Sequence, residues 1–210
     1  FLTENTALGI TFASNVSLLI CTAPIFTIIL DRIIWKTPLR KSLLGGSLIA
    51  LVGVAVVIIN GNLEFKISPL GDFLTIVAAI LWAIYSIIVR KLSRTYDTFF
   101  ISRKVFFYGV VSVLPLFILS TTPAELTLLG RSAVWSNIMF LGIMASMLCY
   151  MMWNVSVKAL GADKASNYIY VNPLVTIIAS AIFLGEPLTI FTFIGAAAII
   201  GGVFIAERCG

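Results

Sequence analysis

The chain contains no histidine. That removes imidazole acid–base chemistry and the commonest metal ligand. Charged side chains make up only 11% of the 210 residues, where a soluble globular chain carries about 25%. Too little polar material is left to surface a soluble domain, which excludes a soluble enzyme, a DNA-binding protein and a disordered regulator. Cysteine is scarce too. Cys21, Cys149 and Cys209 lie far apart and two sit in apolar stretches, so they read as small buried hydrophobes rather than a disulfide or metal site. The net charge is +5, but the 14 basic residues are scattered among connecting segments. They form no basic face with interleaved aromatics, so nucleic acid is not an expected partner. Phe1 opens the chain with neither an initiator Met nor a basic leader, so no signal peptide is expected.

What the chain has is apolar sequence: 60% hydrophobic residues and a mean hydropathy of +1.09. A membrane helix takes roughly 20 apolar residues, so seven spans use about 140 and leave about 70 for loops and a partial span. Backbone groups in lipid must bond internally, which helices achieve. The pattern predicts a partial helix over Phe1–Thr11 and spans over Ser14–Trp35, Ser42–Ile59, Leu70–Val89, Thr98–Leu119, Val134–Val157, Ala165–Leu184 and Phe191–Ala206. Turns fall at Lys36–Lys41, Asn60–Asn62, Arg90–Arg94, Thr121–Glu125, Gly161–Lys164 and Gly185–Pro187. Counted over alternate sides, twelve of the 14 basic residues share one face and only Lys66 and Arg131 take the other. By the positive-inside rule the first face, and with it the C-terminus, is cytoplasmic.

An internal repeat is the most informative feature. Shifted by 149 positions, Pro24 falls on Pro173, Asn5 on Asn154, Ser17 on Ser166, Pro38-Leu39 on Pro187-Leu188, Gly46 on Gly195 and Gly53-Val54 on Gly202-Val203, with no gap over 58 residues. Matched Pro, Gly and Asn are not a product of apolar composition, so the repeat is real. Five spans separate equivalent positions, an odd number, which inserts the two copies in opposite senses. Inverted repeats of this kind are characteristic of carriers. The same offset puts the start of the first copy about 80 residues before Phe1. The chain therefore reads as a ten-span protein lacking its first two spans and most of the third, with about 7–8 spans present.

The segments ENTALGITFASNVSLLICTAPIFTIIL (Glu4–Leu30) and NVSVKALGADKASNYIYVNPLVTIIASAIFLGEPLT (Asn154–Thr189), each followed by a small-residue helix, resemble the EamA-type family of the drug/metabolite transporter superfamily. The resemblance implies an all-α bundle of two inverted five-helix units, cytoplasmic termini, and export or exchange of a small molecule. Residues 1–60 would be the C-terminal part of a first EamA-type repeat and residues 69–207 a second. The chain departs from the pattern at Lys36-Thr37, where the second copy has Gly185-Glu186.

Candidate site residues follow from polar groups inside spans. Glu4-Asn5 and Trp153-Asn154 occupy equivalent positions in the two copies. A carboxylate within a span costs about 2.5–3.5 kcal/mol on insertion scales, so Glu4 should face protein or a wet cavity, where it could couple protons. Asn5 and Asn154 could equally be interhelical hydrogen-bond glue. Trp82 and Tyr85, three apart, share a helical face, as do Tyr168 and Asn172, four apart, with Tyr170 turned elsewhere. Such aromatics can stack on and hydrogen-bond a ligand; packing between helices is the alternative. Pro24 and Pro173 act as hinges or only shape the bundle. Gly46 and Gly53, like Gly195 and Gly202, recur every seven residues and permit close helix approach. Arg103 lies roughly 9 Å inside its helix if Asp97 caps it, and its stem can snorkel to the surface. Glu186-Pro187 and Thr37-Pro38 read as caps followed by a first-turn Pro.

The expected partners are thus a small-molecule substrate and the lipid bilayer, with protons and a second copy of the chain in a homodimer as candidates. No cofactor or metal is called for. The expected activity is secondary transport of a small metabolite, an amino acid or related amphipathic compound, in a cell (inner or plasma) membrane. A non-transport membrane subunit or lipid-binding component is the alternative. With no His and no paired carboxylates at helical spacing, an intramembrane enzyme is not expected.

Overall fold

The computed structural model describes residues 2–11, 13–36, 41–59, 68–120, 130–179, 181–182 and 189–208. Thr37-Pro38, Arg40, Asn60–Asn62, Lys66, Thr121–Glu125, Gly185-Glu186-Pro187 and Cys209, singled out above, lie outside the described residues. Eleven α-helices follow in order: α1 (Leu2–Leu8), α2 (Ala13–Ile20), α3 (Ala23–Trp35), α4 (Lys41–Ile59), α5 (Pro69–Leu92), α6 (Thr98–Ser120), α7 (Ser132–Met139), α8 (Cys149–Leu160), α9 (Ala162–Asn167), α10 (Asn172–Ala179) and α11 (Ile190–Arg208), all among the described residues. A π-helical stretch, Phe140–Leu148, joins α7 to α8, and a 3₁₀ turn, Tyr168–Val171, joins α9 to α10. Among the described residues there is no strand. Six segments, Asn15–Trp35, Lys41–Ile59, Pro69–Leu92, Thr98–Leu119, Ser132–Leu160 and Ile190–Arg208, are long and apolar enough to cross a membrane. The chain is a multi-pass helical membrane protein.

Two spans expected to be continuous are broken. Ser14–Trp35 divides at Cys21-Thr22, and the segment from Ala165 divides at Tyr168–Val171. The cause in each case is a proline, which has no N–H to donate and whose ring crowds the carbonyl four residues back. Pro24 therefore sits in the first turn of a new helix, where the missing donor is harmless. Around the break Thr22 compensates. Its hydroxyl donates to Leu19 O at 2.6 Å, and its carbonyl accepts from Ile25 N–H at 3.0 Å and Phe26 N–H at 3.2 Å. Pro173 likewise stands in the first turn of α10. The helix limits repeat at the offset found in the sequence: α2 and α9 begin at Ala13 and Ala162, α3 and α10 at Ala23 and Asn172, and α4 and α11 run 41–59 and 190–208.

The chain forms two compact units, residues 1–88 with 162–210, and residues 89–161. At the heart of the first, α4 and α11 pack backbone to backbone. A Cβ built on Gly46 would fall on Gly202 O and within 2.6 Å of Ala206 N, and one on Gly202 would meet Ala50 N at 2.5 Å and Gly46 O at 2.6 Å. A Cβ on Gly53 would meet Gly195 O and Ile199 N, both at 2.8 Å, and one on Gly195 would meet Val57 Cγ2 and, at 2.7 Å, Gly53 O. Gly46 thus faces Gly202 while Gly53 faces Gly195, so the helices run antiparallel. Exchanging every residue with its mate 149 positions away maps these contacts onto one another: Gly46–Ala206 onto Gly195–Val57, and Gly202–Ala50 onto Gly53–Ile199. The crossing therefore has local twofold symmetry, the relation two inverted copies of one helix must adopt. Small residues permit it, because in lipid helix association depends on close packing rather than on hydrophobic burial from water. Cys21, Val54, Val57, Tyr170 and Ile199 close the core around it.

In the second unit Asp97 caps α6, its Oδ2 accepting Phe99 N–H at 3.1 Å. Arg103 is exposed, with its guanidinium 5.4 Å from the Phe100 ring centre. Beyond it the helix turns Phe107, Val110, Leu114 and Ile118 outward, a face that water would penalise and hydrocarbon does not.

Candidate functional site

In the first unit, Ser68 and Asp72 start α5. The Ser68 N–H donates to Asp72 Oδ2 at 3.2 Å, and the other carboxylate oxygen accepts from Thr11 Oγ1 at 3.3 Å. That pair ties the turn after α1 to the start of α5. On α1, Glu4 is half-buried and Asn5 exposed. Trp82 and Tyr85 lie together on α5, half-buried, with ring centroids 5.5 Å apart and planes at 43°.

The 3₁₀ turn decides which side chains of the second broken helix face inward. With three residues per turn, positions i and i+3 eclipse, so Asn167 and Tyr170 share the buried side and neither is exposed at all. Tyr168 and Asn172 are turned out, Tyr168 to 43% exposure. Tyr168 and Glu207 line the same groove, of about 270 Å³, whose walls include Leu174, Ile199, Val203 and Phe204.

Behind it lies a polar cluster that the sequence reading did not single out. Thr27, Asp31, Ser47, Ser166, Asn167 and Tyr170 are all buried. The Ser166 hydroxyl donates to Thr27 Oγ1 at 3.2 Å, and Thr27 donates to Ala23 O at 2.9 Å. Ser47 Oγ stands 2.7 Å from Asn167 Oδ1 and 2.8 Å from Leu43 O, although one hydroxyl carries a single proton. Turned over, the Asn167 amide would donate Nδ2–H to Ser47 while Ser47 donates to Leu43. Asn167 Nδ2, which otherwise meets no acceptor, would then be satisfied. The usable signals were Thr27 and Asp31 at i, i+4 spacing and Ser47 beside the close-packed Gly46.

In the second unit, Trp153 is half-buried on α8 and its neighbour Asn154 is fully buried. Asn154 Nδ2 donates to Ser102 Oγ at 2.9 Å, joining α8 to α6. One turn away, Tyr150 meets Phe106 edge-on at 5.9 Å. No group of three or more His, Cys, Asp or Glu suited to a metal ion occurs among the described residues.

The EamA-like transporter family model matches residues 1–59 and 69–207. The chain belongs to that family. Among curated relatives, the uncharacterized transporter YyaM of Bacillus subtilis (strain 168) is 31% identical over 197 residues, covering 92% of this chain and 64% of the relative. A "Probable terminal-alkyne amino-acid exporter" of Streptantibioticus cattleyicolor is 24% identical over 199 residues, covering 93% of this chain and 64% of its own length. The chain thus spans less than two thirds of these two relatives. A crystal structure of a protein 19% identical superposes with a TM-score of 0.82 over 98% of this chain and 71% of that one, a likeness of fold. The relatives are transporters or exporters by name.

Proposed function

We propose that the chain is the larger part of a secondary transporter that exports a small metabolite, an amino acid or related amphipathic compound, by alternating access. Residues 1–60 close a first repeat and residues 69–207 form the second, inserted upside down. Rocking of one repeat against the other opens a central cavity to one side of the membrane at a time. The observation that carries this reading is the twofold-symmetric α4–α11 crossing in a chain of a transporter family. Inverted modules joined through one tight, symmetric contact give two mirror-related open states of similar energy. The amino-acid expectation leans on the exporter named above and on the candidate residues. Trp82 and Tyr85 offer an aromatic face with polar tips, Tyr168 and Asn172 a second polar edge, and Glu4, Asn5 and Trp153 the matching positions of the two copies. Asn154, which donates to Ser102 Oγ, is proposed with Trp153 as a substrate-binding residue. Glu4 is the proton-coupling candidate, and the C-terminus faces the cytoplasm.

The test is flux in proteoliposomes holding the full-length protein, with a panel of labelled amino acids, with and without a pH gradient. Saturable transport of at least one panel member is expected. Trp82→Ala should raise its half-saturation concentration about two- to tenfold, the worth of one aromatic contact. Glu4→Gln should abolish the response to the gradient and spare exchange at equal pH. Folded protein in sealed vesicles that moves no panel member would refute the substrate class.

A further inference from the structure

Within the first unit the α4–α11 crossing obeys the 149-residue exchange, but the helices beside it do not. In the first copy the Thr27 hydroxyl donates to Ala23 O at 2.9 Å. In the second, the Thr176 hydroxyl donates to Asn172 O at 3.0 Å, which is the same bond 149 positions on. Thr27 also accepts from the Ser166 hydroxyl across the seam between the copies, at 3.2 Å, and both residues are fully buried. The mates of that pair, Thr176 and Ser17, are both exposed. So α9 is shut on α3 at Ser166, while α2 is not shut on α10 at Ser17. A second contact strengthens the shut end. Ser47 Oγ stands 2.7 Å from Asn167 Oδ1, and both residues are fully buried. Their mates are Ala196 and Leu18, whose side chains have no donor or acceptor.

We infer that Thr27 and Ser166 form a latch of the transport cycle: they hold the seam shut where α3 stops and α9 starts, and in the alternate state they part while Ser17 and Thr176 make the same bond at the opposite end. This inference rests on the alternating-access reading and names the residues that would gate it. Exchanging the conformations of two inverted copies turns one state into the other, so one hydroxyl bond replaces its mate and switching loses none. The Ser47–Asn167 contact has no such replacement, because Ala196 and Leu18 stand at the mate positions. It therefore biases the resting population toward the state described here. A hydrogen bond between helices in a membrane shifts such an equilibrium about threefold on average and about 20-fold at most.

The test is the rate at which a short bifunctional thiosulfonate joins S17C to T176C, in full-length protein in proteoliposomes with its native cysteines replaced by alanine. That rate follows the population in which the Ser17 end is shut, and it needs no substrate. It should be slow in the otherwise unaltered chain. S166A removes the bond across the seam and leaves Thr27 its bond to Ala23 O, so the rate should rise about threefold and at most about 20-fold. S47A/N167L gives the shut end the residues of its mates and should raise the rate within the same limits. T75V removes a buried hydroxyl bonded to Gly71 O within α5 and should leave the rate unchanged. If S166A does not fold, T27V breaks the same bond. A rate that neither S166A nor S47A/N167L moves, or that T75V raises as much, would overturn the latch. Flux of the parent protein separates the two readings. Flux that persists with an unmoved rate sinks the latch and leaves alternating access standing. A raised rate in S166A without flux of any panel member supports the latch and refutes the substrate class.

Discussion

Adding one methyl group at Gly46 should destabilise the protein, while adding it at Gly45 should not. A Cβ at Gly46 falls on Gly202 O and within 2.6 Å of Ala206 N. Both obstacles are backbone, so no rotamer change relieves them, and ordinary contact begins near 3.4 Å. The axes of α4 and α11 must therefore part by about 0.5–1 Å, a gap that forfeits a quarter to a half of the dispersion attraction along the seam. Overpacking of this kind costs about 1–3 kcal/mol. Gly45 has nothing within 4 Å of its Cβ direction, so Ala there gains helix propensity, about 0.5–1 kcal/mol. Neighbouring positions thus differ in sign. Gly202→Ala and Gly201→Ala should repeat the contrast on α11, since Gly201 is equally open. Gly46→Ala with Gly202→Ala should cost less than the two separately, because the first substitution already parts the helices where the second acts. Cys21, only 3% exposed beside this crossing, supplies the reporter. In a Cys149→Ser, Cys209→Ser background, a thiol-reactive fluorophore should label it only on unfolding. For a chain of this size each kcal/mol moves the midpoint by about 2–4 °C, so Gly46→Ala should lower it by about 2–12 °C and Gly45→Ala raise it slightly. Equal shifts at Gly45 and Gly46, of either sign, would show that the helices do not meet at this face.

Ser102→Ala should strand the buried Asn154 amide and lower the unfolding midpoint of the same reporter. Interhelical hydrogen bonds in membranes are worth about 0.6 and at most about 1.7 kcal/mol, and a double-mutant cycle with Asn154→Leu should recover that coupling. Ser47→Ala should cost about 1–3 kcal/mol, because it leaves the fully buried Asn167 without its hydroxyl partner; Ser47→Ala combined with Asn167→Leu should restore part of the loss, and strict additivity would separate the two residues. An impermeant maleimide should leave Cys209 unlabelled in intact cells and label it once the membrane is opened. Labelling without permeabilisation would invert the assigned topology.

What the sequence made legible was whatever depends on long averages and on glycine. Hydropathy summed over twenty residues predicted seven full spans, since each must match a fixed hydrocarbon thickness; six of them are long, apolar helical segments, while Ala165–Leu184 is interrupted at Tyr168–Val171 and runs partly outside the described residues. The 149-residue offset placed Gly46, Gly53, Gly195 and Gly202 in register, and these residues have no side chain to mislead. Local backbone geometry was hidden. The sequence reading carried Ser14–Trp35 through Pro24 because a proline can sit mid-helix with a kink or begin a new helix, and only the donors around Thr22 decide. The nine-residue π stretch at Phe140–Leu148 has no proline or glycine pattern to announce it. Those local choices then set which polar residues meet. At the 3₁₀ turn Asn167 and Tyr170 are buried while Tyr168 is exposed.

The symmetry at Gly46–Gly202 and Gly53–Gly195 constrains how such a protein can move. Seven backbone contacts within 2.8 Å of a virtual Cβ at four glycines leave no slack for α4 and α11 to slide by a turn, since sliding brings Ala50, Val54, Ile199 or Val203 against a backbone that now meets glycine. In the alternating-access reading proposed above, motion of the repeats would be rotation about this crossing, with the breaks at Cys21-Thr22 and Tyr168–Val171 as the proposed hinges. Both breaks stand one or two residues from Ala23 and Asn172, at equivalent positions. On that proposal a bend at one copy is the inverted image of a bend at the other, and a fixed pivot with two equivalent hinges would yield two open states from one sequence module.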